Sequence, residues 1–161
     1  MYQIVVFLHV LGAFLFVLAH GASMLVSFRL RREREPARIG SLFELSSLAI
    51  NLMYAGLLLL LAAGITAGFM GNHWGRGWIW LSLGTLLVVV VAMYALATPY
   101  YGRMRVAAGA PVPEQVASRF KPPPTPADLE SLATSNRPML LAAIGGIGLA
   151  IIIWMMLFKP F

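Results

Sequence analysis

The chain has 161 residues, of which 60% are hydrophobic and 11% charged, with a net charge of +6 and no cysteine. A mean hydropathy of +0.81 excludes an ordinary soluble domain. The absence of cysteine excludes disulfides, thiolate metal sites and cysteine nucleophiles. The positive charge does not point to nucleic acid, because the basic residues cluster beside the apolar blocks, where they anchor to anionic lipid and set topology.

The first block, about residues 3–28, reads QIVVFLHVLGAFLFVLAHGASMLVSF and is followed at once by RLRRERE. Without one Asp, Glu, Lys or Arg, it exceeds the ~20 apolar residues needed to cross a bilayer. It is too long for the apolar part of a signal peptide and has no basic region before it, so Met1 is expected to be the mature start. Inside it stand His9 and His20, eleven residues apart. About three helical turns separate them, so the two rings share one face at heights differing by roughly 16 Å.

The second block, about 43–70, opens on SLFE, where Ser41 and Glu44 have the spacing of a capping box. The third, about 78–101, places Trp78 and Trp80 at one interface and Tyr100 and Tyr101 at the other, and Pro99 is expected to kink or end it. The long loop 103–137 follows. Its KPPPTP stretch reads as a stiff, extended spacer and TPADLESLAT as one short surface helix. The fourth block, about 138–158, starts on Pro138, a residue suited to a first helical turn.

Five arginines follow the first block and five basic residues lie from Arg103 to Arg137, so ten of the twelve basic residues fall on one side. The positive-inside rule makes that side cytoplasmic and both termini external. The expected architecture is therefore all-α: one integral membrane domain, 1–161, built as a bundle of four transmembrane helices.

Counting helical rise from the arginines puts His20, Asn51, Tyr54 and Tyr94 near one level, as a candidate buried polar layer beside Gly145 and Gly146. His9 falls level with Gly64 to Thr66. Interhelical hydrogen bonding is one use for such a layer, and a cofactor or ion site is the other. His20 with Met53 and Met93 would offer Cu(I) soft ligands. A haem held by two histidines finds no second one at matching height, since His73 lies in the GNHWGRG turn, so haem would need one axial ligand only, a methionine, or a second copy of the chain. Gly64 and Gly68, a GxxxG pair, and Gly145, Gly146 and Gly148 are candidate helix-packing positions. No hydrolase, phosphate-cradling or zinc-motif spacing occurs.

At FLHVLGAFLFVLAHG followed by FRLRRERE, the chain resembles the four-helix bacterial membrane proteins grouped as DUF2269. More distantly it is similar to the copper-resistance D and HemJ-type protoporphyrinogen oxidase membrane families. In the HemJ-type family a histidine of the first helix is associated with haem, and the resemblance nominates His9 for a b-type haem. The further charged motifs of that family are not evident here, so its oxidase activity is not carried over. Three expectations follow: a non-enzymatic subunit that packs on other membrane subunits or on itself, a haem- or metal-binding protein using His9 or His20, and an oligomeric transporter.

Overall fold

In hydrocarbon every backbone N–H and C=O must be satisfied within the chain, which makes an uncharged apolar stretch a helix. The computed structural model, which describes residues 1–161, is helical throughout its ordered elements. They are α1 (Tyr2–Leu30), α2 (Pro36–Met70), α3 (Gly77–Ala107), α4 (Glu114–Ala117), α5 (Asp128–Thr134) and α6 (Arg137–Phe158). The helices α1, α2 and α3 and the stretch containing α6 are long and apolar enough to cross a membrane.

The helix ends depart from the apolar boundaries. α2 begins at Pro36 and so runs two turns beyond its apolar segment. Its N-cap is Glu35, with Pro36 in the first turn, and the turn before it is held by the Glu33 carboxylate, which accepts from the backbone N–H of Arg34 (3.1 Å) and of Glu35 (3.3 Å). The Ser41/Glu44 pair is therefore no capping box. Ser41 already lies inside the helix and donates to the Ala37 carbonyl at 3.2 Å. Apolarity marks where the bilayer begins, and the helix has no reason to stop there. For the same reason α3 continues through Pro99 to Ala107.

The bundle consists of two antiparallel pairs, α1 with α2 and α3 with α6. On α1 the buried residues Gly12, Ala19 and Val26 recur every seven positions, and on α2 so do Ala49, Gly56 and Ala63. A seven-residue recurrence of small residues lets two helices stay close along a shallow left-handed crossing. The closest approach is at the glycines: a Cβ on Gly12 would lie 2.5 Å from the Leu60 nitrogen, and one on Gly56 2.7 Å from the Phe16 nitrogen. In the other pair, Gly148 of α6 is packed on Val89 of α3, and Trp78, Ile79 and Met155 form a small apolar cluster.

The two pairs meet mainly at the arginine-rich end. There Val26 and Leu30, Ile39 and Phe43, Tyr100 and Met104, and Leu129 and Ala133 of α5 share one apolar cluster. Polar ties reinforce it. The Tyr100 hydroxyl donates to the Leu132 carbonyl (2.8 Å), and Arg34 pairs with Glu130 (2.6 Å). At the opposite, tryptophan-rich end, the Trp78 N–H donates to the Phe161 carbonyl and Tyr2 meets His73 at 3.3 Å. Both chain termini thus lie at the same end as the α2–α3 turn.

Candidate functional site

His9 faces α2. Its Nδ1–H donates to the Leu60 carbonyl at 2.9 Å, a geometry that fixes the tautomer and leaves the lone pair on Nε2. The half-buried ring lies over Gly64, whose missing side chain makes the space: a Cβ there would be 2.8 Å from His9 Nδ1. Gly64 therefore accommodates an imidazole. Gly68, four residues on, accommodates the Trp74 indole in the same way, with a Cβ 3.2 Å from the ring.

His20 faces α6 instead. Its ring is stacked on Phe16, with centroids 6.2 Å apart and planes 7° from parallel, and its edge is pressed on Gly145. Nε2 is buried and has no hydrogen-bond partner. Gly146, by contrast, has open space around it.

The remaining members of the expected layer are not brought to His20. Asn51 and Tyr54, one turn apart on α2, face outward with Tyr54 56% exposed, and Tyr94 of α3 is 64% exposed. They form no buried layer within the chain. The two tyrosines and the amide nonetheless keep a common height. Starting from the Phe43–Tyr101 edge contact, they lie about 10 to 17 Å toward the tryptophan-rich end. An amide and two phenols so placed stand on the outer surface of the apolar spans, unpaired within the chain.

Met53 and Met93 are half-buried on α2 and α3, whereas His20 is turned to α6, and no three His, Asp or Glu side chains converge. A haem shared by two histidines of one chain does not fit: His9 and His20 differ in height by roughly 16 Å, His20 Nε2 is pressed on Gly145, and two clefts at the arginine-rich end are lined by no histidine.

Two features carry no distinctive sequence signal or were legible only in a different pattern. The Gly12–Gly56 crossing is announced by small residues spaced seven apart, not by GxxxG. Arg105 sits within a run of interfacial basic residues, and nothing local separates it from them. In the structure its guanidinium bonds the Phe43 carbonyl (3.2 Å) and the Ser47 hydroxyl (2.8 Å) and lies 4.6 Å from the centre of the Phe43 ring.

A family model described as "Predicted integral membrane protein (DUF2269)" matches residues 3–160. No curated protein and no solved structure matches the chain.

Proposed function

The chain belongs to the DUF2269 family of predicted integral membrane proteins, and we propose that it is a non-enzymatic accessory or anchoring subunit of a bacterial inner-membrane assembly. The arginine-rich end faces the cytoplasm in this reading, as the positive-inside rule requires.

The observation that carries it is that Asn51 and Tyr54 of α2, and Tyr94 of α3 at a similar height, are turned outward. An unpaired amide facing hydrocarbon costs several kcal/mol, and a neighbouring helix offering a donor and an acceptor removes that penalty. Each such interhelical bond is worth roughly 0.6–1.7 kcal/mol, enough to select a partner without fusing to it. The chain's own helices do not supply those groups, so another subunit does.

The test is extraction of the tagged chain from its native membrane in mild detergent. The expected result is recovery with a second membrane protein in fixed ratio, lost in Asn51→Leu combined with Tyr54→Phe while the chain stays inserted and folded. Recovery as a lone monomer, or only with further copies of itself, overturns the accessory reading.

The alternative, a b-type haem or a metal held through His9 or His20, has one observation in its favour: the unpartnered Nε2 of His20. It requires a single axial ligand, a methionine, or a ligand from a second copy. An absorption band in the purified protein that vanishes in His20→Ala or His9→Ala supports it, and colourless, metal-free protein rejects it.

A further inference from the structure

The arginine-rich end holds a second feature, independent of the outward-turned Asn51, Tyr54 and Tyr94. Between α2 and the chain that follows α3 lies an open cleft of about 240 Å³, lined by Gly40, Glu44, Ser47, Arg105 and Pro111 among others. Arg105 uses Nη2 for its bonds to Phe43 and Ser47, which leaves its Nε and Nη1 donors free. The three ion pairs of the chain are Arg29–Glu33, Arg34–Glu130 and Arg38–Glu35. Glu44 and Arg105 are in none of them, nor are they paired with each other. One cleft thus presents a cation at one point and an anion at another, each without a counter-ion.

A simple anion drawn to Arg105 is repelled by Glu44, and a simple cation drawn to Glu44 is repelled by Arg105. A ligand carrying both charges a few bonds apart satisfies both. Height narrows the choice. The Arg105 backbone lies about 6–8 Å beyond the Tyr100–Tyr101 aromatic level, and its guanidinium reaches back to Phe43 and Ser47 near that level, within reach of the lipid headgroup region. Beside the cleft, on the same stretch of α2, Leu45 and Leu48 are exposed, and they offer an apolar track for a chain leading away from the charges. A guanidinium with two free donors suits a phosphate, and a carboxylate suits an ammonium with N–H groups to give.

We propose that this cleft binds a phosphoethanolamine group, with the phosphate on the free Nε and Nη1 donors of Arg105 and the primary ammonium on Glu44. The group has two sources, the headgroup of a phospholipid or the free soluble ester.

The experiment is thermal unfolding of the full-length chain in detergent, with phosphatidylethanolamine, phosphatidylcholine, phosphatidylglycerol or free O-phosphoethanolamine added. The expected result is a rise in Tm of about 3–6 °C with phosphatidylethanolamine and a clearly smaller one with the other two lipids. Glu44→Gln, an exposed and structurally tolerant change, is expected to abolish the preference for the ethanolamine lipid while keeping the unliganded Tm. Arg105→Lys is expected to weaken the response to all three lipids. A rise with the free ester as large as with the lipid assigns the site to the soluble compound, and a rise with the lipid alone assigns it to the bilayer. Equal response to phosphatidylglycerol and phosphatidylethanolamine, or an undiminished preference in Glu44→Gln, overturns the proposal.

Discussion

Gly12 and Gly56 stand opposite each other where α1 crosses α2, and a Cβ added to either would come within 3.1–3.2 Å of the other's carbonyl oxygen. Backbone, not a flexible side chain, fills the space around both. Gly12→Ala and Gly56→Ala are therefore expected to destabilise the chain by about 1–3 kcal/mol each, since neither helix can yield locally. Gly21→Ala and Gly146→Ala meet nothing within 4 Å and are expected to be neutral or stabilising by up to ~1 kcal/mol through helix propensity. Thermal unfolding in detergent compares the four.

Tyr100→Phe removes the hydroxyl that donates to the Leu132 carbonyl in a part-buried site and leaves that carbonyl with the Ser135 N–H alone. The expected loss is about 1 kcal/mol. It falls on the docking of α5, so the sensitive measurement is limited proteolysis of the 109–127 segment, which should be cut faster while the four spans stay intact.

Glu33 makes the α1–α2 turn sensitive to acid. Its carboxylate accepts from the Glu35 and Arg34 N–H groups, and these bonds hold its pKa below the usual carboxylate range. A depressed pKa means that the contribution to stability is complete above the ordinary carboxylate pKa and is lost as pH falls through the lowered one. Acid titration of the wild type should show this loss, and Glu33→Gln should remove that part of the pH dependence. If the two proteins lose stability in parallel as the pH falls, the turn is not held by the ionised form.

The absence of native cysteine makes topology directly measurable. A single cysteine at Ser118 should be protected from a membrane-impermeant thiol reagent in intact cells and labelled after lysis. One at Gly75, in the α2–α3 turn, should be labelled in both. The reverse pattern would place the arginines outside and remove the basis of the proposed orientation.

Heights along the helices were legible in the sequence, and rotations about them were not. Arginine positions and helical rise put His9 level with Gly64 and His20 level with Gly145, and the structure seats each ring on that glycine. Asn51, Tyr54 and Tyr94 share a level too, but they are turned outward. The reason is physical. A helix between water and a core advertises its buried face by polarity, whereas a helix surrounded by lipid is apolar on every side. What remains to mark the inward face is residue size, and the series Gly12–Ala19–Val26 and Ala49–Gly56–Ala63 carries that mark. The free state of Glu44 was hidden for another reason. Its apparent role as a cap assumed that α2 begins where its apolar segment does, and the helix begins at Pro36 instead.

The pairing of α3 with α6, across the long proline-rich segment, bears on biogenesis. α1 and α2 emerge from the ribosome one after the other, and the short turn between them lets them associate as soon as both are inserted. α3 has no such companion. It must wait in the bilayer while the whole proline-rich segment is synthesised, with the Val89 surface that will receive Gly148 open to lipid or to an insertase. Any lengthening of that segment delays closure without touching a single contact of the finished bundle, so translation speed across it sets how long the half-assembled protein is vulnerable to degradation.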